Sequence, residues 1–229
     1  MSSSIPGAPE PVRPRPALHV ERDRGAAPPQ GPGDARAVPG SERAFFVEEF
    51  RGVTIVLSLP VLTDDALEPL ARTVRGFEHG DTRLVLVVAD AASAARLRAV
   101  LGDVAVLTAP TAWSDDALAG LWVAATDART VVVVAADPTS VAESAGLVAA
   151  GLGASKVVLT DPDGGWGDPP RSFVDLELHR DALDAALRER GAGRLLDAAE
   201  TALRGGAYSV NLCRAQDIEL ELFTFDGAG

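Results

Sequence analysis

The stretch Val141–Asp161, VAESAGLVAAGLGASKVVLTD, predicts the fold of this chain. The pair Asp137-Pro138 suits the N-cap and first position of a helix, and small residues recur along that helix at roughly helical spacing. Gly153 ends the helix, and the β-branched run Lys156–Thr160 predicts the next strand. The acidic turn Asp161–Gly165 then follows the carboxyl end of that strand, where open α/β sheets bind their ligands.

Helices and strands alternate through residues 42–229. The predicted strands are Val53–Leu57, Leu84–Val88, Val104–Leu107, Val131–Val134, Lys156–Thr160, Tyr208–Leu212 and Ile218–Phe223. The other predicted helices are Ser41–Phe50, one from Thr63 to about Gly76, Ala91–Leu101, one from Ser114, His179–Glu189 and Gly193–Leu203. This alternation predicts a three-layer αβα sandwich with a mainly parallel central sheet, because continuous apolar strands need a cover on both faces. The final two strands could form a hairpin at one edge.

The first 41 residues differ in composition from the rest of the chain. They contain nine of the 16 prolines and no long apolar run, so they cannot bury enough apolar surface to offset the entropy of ordering. We therefore predict a disordered Pro-rich tail over residues 1–41 and one domain over residues 42–229. The tail has five arginines and four acidic residues, which leaves a net charge of about −13 on the domain.

This acidity argues against nucleic acid or an anionic membrane as a partner, since both require a basic surface. No apolar run approaches the ~20 residues of a membrane span. The single cysteine, Cys213, is expected to be a small core residue in a reducing cytosol. Basic residues are almost all arginine, which is typical of GC-rich coding, so we expect a bacterial cytoplasmic protein.

Several common catalytic and binding motifs are missing from the sequence. It contains no P-loop and no nucleophile elbow, and Gly151-Leu-Gly153 follows a helix rather than a strand, which is the wrong order for a dinucleotide site. Asp161, Asp163 and Asp168 could hold a cation, but Ser172 stands where a calcium loop needs a carboxylate. Turn chemistry is the favoured interpretation of these acids, and no metal site is assigned.

The order of elements resembles the carboxyl-terminal half of N-acetylglutamate kinases, in the amino-acid kinase family. The positions in register are Ala145-Gly146, Ala149, Leu152, Ala154, Lys156, Leu159-Thr160-Asp161 and Gly164. Glu219–Thr224 is similar to the closing strand of that family, and Phe50–Leu57 with Thr63–Leu67 to its first strand and helix. The resemblance implies a nucleotide loop at Thr160, Asp161 and Gly164, with ATP and magnesium as possible cofactors, and it implies pairing of subunits.

The residues on which that family relies for phosphoryl transfer are replaced here. Its first lysine falls on Ser58, and Leu59-Pro60 replace its first glycines. Its triple glycine falls on Ala89–Ala91, its catalytic aspartate on Ala142 and its late lysine on Leu195. Side chains at the glycine positions would keep phosphate away from the backbone, and Asp90 would repel it.

Two neighbouring charged residues remain as weak catalytic candidates, Glu143 beside Ala142 and Arg194 beside Leu195. The sequence therefore predicts a catalytically degenerate protein that binds a small amino-acid ligand or regulates a partner enzyme. The alternative is an ATP-dependent phosphotransferase acting on the carboxylate of an acylamino acid. A third possibility is an unrelated α/β domain. Phe45, Phe46 and Phe50, together with the pairing habit of the family, suggest a homo-oligomer.

Overall fold

The computed structural model describes residues 37–166, 171–172 and 174–228, with only the backbone described at residue 177. Most of the predicted tail, residues 1–36, and Asp168 of the acidic turn lie outside this range. The first described helix begins at Gly40, inside the predicted tail of residues 1–41.

Eight helices and six strands alternate in the described part of the chain. The strands are β1 Thr54–Leu59, β2 Arg83–Val88, β3 Ala105–Thr108, β4 Thr130–Val134, β5 Lys156–Thr160 and β6 Ser209–Cys213. The helices are α1 Gly40–Glu49, α2 Asp64–Phe77, α3 Ala91–Leu101, α4 Asp115–Ala128, α5 Val141–Leu152, α6 Leu176–Glu189, α7 Gly193–Arg204 and α8 Ile218–Phe223. Two short 3-10 helices, Pro138–Ser140 and Ala215–Asp217, precede α5 and α8. No helix among these residues is long and apolar enough to cross a membrane.

The six strands form one sheet in the order β3-β4-β2-β1-β5-β6, and every neighbouring pair is parallel. The predicted edge hairpin is therefore wrong. β6 pairs with β5 in parallel, and Ile218–Phe223 is the helix α8 rather than a strand. The expectation of a closing strand, which came from the family resemblance, fails at the same residues.

Helices cover both faces of the sheet, which confirms the predicted three-layer sandwich. One apolar core lies between the sheet and α4, α5, α6 and α7, and the other lies between the sheet and α1, α2, α3 and α8. The apolar residues of the central strands are completely buried, as expected for a parallel sheet covered on both sides.

The small residues of α5 bring this helix into close contact with α7 as well as with the sheet. A Cβ atom added at Gly146 would lie 2.7 Å from the carbonyl oxygen of Ala198, and one added at Gly205 would lie 2.4 Å from Ala150. Gly153 ends α5 with φ of +59°, as the sequence predicts. Asp137 accepts a hydrogen bond from the backbone N–H of Thr139, but it caps the 3-10 turn before α5 rather than α5 itself.

The first and last helices of the described chain pack against each other. The carboxylate of Glu219 in α8 pairs with Arg43 of α1 and with Arg72 of α2. Six aromatic rings continue this contact: Phe45, Phe46, Phe50, Phe77, Phe223 and Phe225. The phenylalanines of α1 therefore pack mainly within the chain, which weakens the argument for self-association that the sequence drew from them.

Candidate functional site

The sheet has a topological switch point between β1 and β5. The chain leaves β1 toward β2 on one side and leaves β5 toward β6 on the other. Loops that diverge from the carboxyl ends of adjacent strands leave a crevice between them, and ligands of open α/β proteins bind in such crevices. A cleft of about 170 Å³ lies at this point.

The cleft is lined by the last residue of β5 and by residues that follow β1, β5 and β6. They are Pro60, Val61, Thr63, Asp65, Thr160, Asp161, Pro162, Arg214, Ala215 and Gln216. Its volume is below the roughly 300 Å³ at which pockets for drug-sized ligands begin. Only a small molecule fits without movement of the loops.

The end of β1 contributes side chains to the core rather than a phosphate-binding loop. Ser58 and Leu59, at the positions of the lost lysine and first glycine, are completely buried within the strand. The Ser58 hydroxyl has no hydrogen-bond partner among the described residues. Pro60 follows without a backbone N–H, so this loop offers little to an anion.

Thr160 and Asp161 lie at the cleft, but their side chains are already engaged. The Thr160 hydroxyl is buried and donates to the carbonyl oxygen of Ser58 at 2.7 Å, which ties the end of β5 to the end of β1. Asp161 accepts a hydrogen bond from the backbone N–H of Asp163 at 3.0 Å, and its carboxylate lies 3.7 Å from the Arg190 guanidinium. Thr160 is therefore a structural tie rather than a free hydroxyl.

The acidic turn after β5 is organised around Arg190. The guanidinium of this residue donates to the Asp163 carboxylate at 2.9 Å and to the carbonyl oxygen of Gly165 at 3.2 Å. No group of three acidic, histidine or cysteine side chains suited to a metal ion occurs in the part of the chain that the structure describes. Ion pairing with Arg190 thus accounts for the charges of Asp161 and Asp163.

Gly164 is where the loop after β5 meets the loop after β6. Its φ is +80°, and an added Cβ atom would lie 2.8 Å from Cγ of Arg214. The glycine therefore lets the Arg214 side chain lie against the loop backbone. The space that the resemblance assigns to a nucleotide is partly filled by this side chain.

Arg214 is the cation of the cleft that sequence reasoning missed. Arg214 is exposed, and its guanidinium forms no ion pair or hydrogen bond with any other residue that the structure describes. Burial raises the pKa of nearby Asp217, against the opposing charge of Arg214, and the negative charge of Asp65 adds to the rise. Charges of both signs therefore meet here. A prediction that β6 runs parallel to β5 would have placed Arg214, which directly follows β6, at the crevice.

Arg194 and Glu143, the two weak catalytic candidates, do not line the cleft. Arg194 lies in the first turn of α7 and donates to the carbonyl oxygen of Thr139 at 2.7 Å and to its hydroxyl at 3.0 Å. Glu143 is exposed in the first turn of α5. The structure brings Thr160, Asp161 and Gly164 together, but it leaves Arg194 in a contact between α7 and the turn before α5.

A scan against known protein families finds no match for this chain, and a search of curated proteins finds none either.

Proposed function

We propose that this chain is a binding or regulatory protein, similar to N-acetylglutamate kinases in the amino-acid kinase family, that performs no phosphoryl transfer. One observation carries the proposal: the crevice at the switch point is closed by the side chains of the protein itself. Arg214 occupies the space beside Gly164, and Thr160 bonds to Ser58. The remaining cleft of about 170 Å³ is too small for a nucleoside triphosphate.

The electrostatics of the neighbouring loop support the same proposal. Catalysis of phosphoryl transfer depends on cations and backbone amides that hold the transferring oxygens. At the end of β2 the triple-glycine position carries Asp90, whose carboxylate caps α3 by accepting from the N–H of Ser93 at 2.7 Å. That hydrogen bond lowers the pKa of Asp90, so its negative charge faces any phosphate at this edge.

The charges of the cleft favour a small zwitterion, such as a free amino acid. Arg214 supplies a guanidinium for a carboxylate, and exposed Asp65 supplies a carboxylate for an ammonium group. Asp161, which is already engaged by Arg190, is a second acidic side chain of the cleft. Gln216 and Thr63 add hydrogen-bonding groups on the same wall. A ligand with one charge of each sign would pair with both sets at once, and a polyanion would meet the two aspartates.

Calorimetric titration of the full chain with each of the common amino acids, with N-acetylglutamate and with Mg-ATP tests this proposal. We expect saturable binding of at least one free amino acid and none of Mg-ATP. Arg214→Gln should weaken that binding by roughly 10- to 100-fold, the worth of one charged hydrogen bond. Arg98→Gln, which replaces an exposed arginine on α3, is the matched control and should leave the affinity unchanged.

Two results would contradict the proposal in different ways. ATP-dependent incorporation of phosphate into an acylamino acid would establish the phosphotransferase and end the non-catalytic assignment. Absence of binding by all the amino acids would remove the zwitterion and leave regulation of a partner enzyme as the proposal.

A bacterial cytoplasmic location is part of the same proposal. Cys213 is buried, and burial raises the pKa of its thiol well above the usual value. An unreactive core thiol of this kind is consistent with the proposed location.

A further inference from the structure

A groove separate from the crevice lies between β3 and α4, the helix that follows it. The groove has a volume of about 380 Å³, compared with about 170 Å³ for the cleft at the switch point. Pockets that hold small molecules usually measure roughly 300–1,000 Å³. By volume, this groove can therefore hold a small molecule that the cleft cannot.

The walls of the groove are apolar. The sheet contributes Leu107 and Val133, and α4 contributes Ala117 and Leu121. Trp113, in the turn before α4, also lines the groove and is half-buried. Its indole Nε1 is buried and has no hydrogen-bond partner among the described residues, so the ring offers carbon surface rather than its N–H to a ligand. These walls suit the apolar body of a ligand.

Gly120 keeps the groove open on the side of the helix. It is an exposed interior residue of α4 and lines the groove together with Ala117 and Leu121, since residues three and four positions apart share a helix face. A Cβ atom added at Gly120 would meet nothing within 4 Å. A larger side chain at this position would therefore occupy space that is empty here.

A carboxylate lies one helical turn from Gly120. Asp116 precedes Gly120 by four positions, which places the two residues on the same face of α4. Asp116 is exposed and forms no ion pair or hydrogen bond with any other residue that the structure describes. The positive end of the helix dipole is worth roughly half a charge, and Asp115 adds a second negative charge in the same turn. The end of the groove is therefore negative.

The surrounding segment supplies no positive charge to offset these carboxylates. Residues 104–128 contain three aspartates and no lysine, arginine or histidine. Arg83 of β2 stacks on the ring of Trp122, but Trp122 does not line the groove. The whole chain has a net charge of −12, which also favours the approach of cations over anions.

We infer that the groove binds a small organic cation, an amine whose apolar body lies between Leu107 and Gly120 and whose ammonium group pairs with Asp116. A protein partner suits the groove less well, because stable protein interfaces bury about 1,200–2,000 Å² and include roughly 20–30 residues on each side. Only eight residues line this groove. The inference is independent of the proposed function, which concerns the crevice.

Three ligands with the same phenyl body test the charge preference of the groove. They are 2-phenylethylammonium, the neutral 2-phenylethanol and the anionic 3-phenylpropanoate. Each is titrated into the full chain while NMR follows the indole N–H signals of the three tryptophans. The signal of Trp113 is identified by its loss in Trp113→Phe.

We expect the Trp113 signal to move on titration with the ammonium ligand. This ligand should bind roughly 2- to 5-fold more tightly than the alcohol, as expected for one exposed ion pair, and the propanoate should bind most weakly. Equal affinities for all three ligands, tightest binding of the propanoate, or an unchanged Trp113 signal at millimolar ligand overturns the inference.

Two leucine substitutions on α4 test the location. Gly120→Leu fills the groove with a residue that favours helix, so the protein should fold while its affinity for 2-phenylethylammonium falls by at least about 10-fold. Ala119→Leu places the same side chain on the neighbouring exposed residue, which does not line the groove, and should leave the affinity unchanged. Undiminished binding by Gly120→Leu would mean that the ligand lies elsewhere.

Two asparagine substitutions test the ion pair. Asp116→Asn should remove the advantage of the ammonium ligand over the alcohol and leave the affinity for the alcohol unchanged. Asp115→Asn removes the neighbouring charge, which lies on the face of Ala119 rather than that of Gly120, and should retain the advantage. If Asp116→Asn kept the full advantage, the assignment of Asp116 as the partner of the ammonium group would be wrong.

Discussion

Thr160 shows how a single hydroxyl can hold the switch point closed. Its buried hydrogen bond joins the ends of β1 and β5, and the carbonyl oxygen of Ser58 would lose this partner in Thr160→Val. We expect the free energy of unfolding to fall by about 1–3 kcal/mol, measured by urea denaturation. Thr126→Val removes a hydroxyl that donates to a backbone carbonyl on the exposed side of α4, and it should change stability by less than about 0.5 kcal/mol.

Lys156, the one lysine of the chain, is buried in a polar cluster with Asn211 and Glu221. Its ammonium group donates to Asn211 at 3.0 Å and lies 3.8 Å from the Glu221 carboxylate. Burial lowers the pKa of Lys156, although the negative charge of Glu221 opposes the change. The folded state therefore binds this proton less tightly than the unfolded state does.

The stability of the protein should depend on pH through Lys156. At low pH Lys156 is charged in both states, and burial of this charge lowers the free energy of unfolding by its full amount. Because the folded pKa is lower, the free energy of unfolding rises as pH increases from that lowered pKa toward 10.5. Lys156→Met removes this dependence. The difference in free energy of unfolding between wild type and variant should therefore rise with pH and flatten above 10.5, and a flat difference throughout would contradict the assignment. Subtraction also cancels the contributions of titrating groups that do not interact with Lys156.

Two glycines test the helices at the element scale, with opposite signs. Gly120 is an exposed interior residue of α4 with open space around it, so Gly120→Ala should stabilise the fold by up to about 1 kcal/mol. Gly153 ends α5 in the left-handed region, so Gly153→Ala should destabilise it by about 1–2 kcal/mol. Thermal denaturation of the two variants checks both expectations. Shifts in the melting temperature of the same sign would contradict the conformations described for Gly120 and Gly153.

Most elements could be predicted because their signals are local. Valine-rich runs and the caps at Asp90 and Ser114 mark strands and helices without reference to the rest of the chain. Ile218–Phe223 alternates apolar and acidic residues, which is typical of a half-buried strand, yet it forms α8. Its two glutamates are buried against distant partners: Glu219 against Arg43 and Arg72, and Glu221 against Asn211. Sequence periodicity does not contain those tertiary contacts.

The candidate site was predicted only in part for the same reason. Thr160 ends a recognisable strand and Asp161 follows it, so their position at the crevice could be expected. Arg214 enters the cleft because β6 runs parallel to β5, and the assumed hairpin directed it elsewhere. The engagement of Asp161 by Arg190, 29 positions later in the chain, is likewise a property of the folded molecule.

At the scale of the whole molecule, Glu219 connects three helices, and its ionisation should limit stability in acid. Burial by itself raises the pKa of Glu219, but the pairs with Arg72 and Arg43 outweigh burial and lower it. Its contribution is therefore present above pH 4.5 and is lost as pH falls through the lowered folded pKa. Glu219→Gln should lower the free energy of unfolding at neutral pH. It should also reduce the fall in that free energy between neutral and acid conditions.

Urea denaturation at several pH values measures this effect, with Glu78→Gln as the control at an exposed position. The free energy of unfolding of the control should change with pH as that of the wild type does. If Glu219→Gln showed the same change, the α1–α8 contact would not depend on this carboxylate.

The contact between α1 and α8 also determines when the domain can finish folding on the ribosome. Arg43 and Glu219 are 176 positions apart in the chain. In the sheet, β1 lies between β2 and β5, so it cannot pair on both sides until β5 has been synthesised. The phenylalanines of α1 therefore leave the exit tunnel long before Phe223 and Phe225 are synthesised to cover them. Such distant contacts slow folding and extend the time for which apolar surface is exposed during translation.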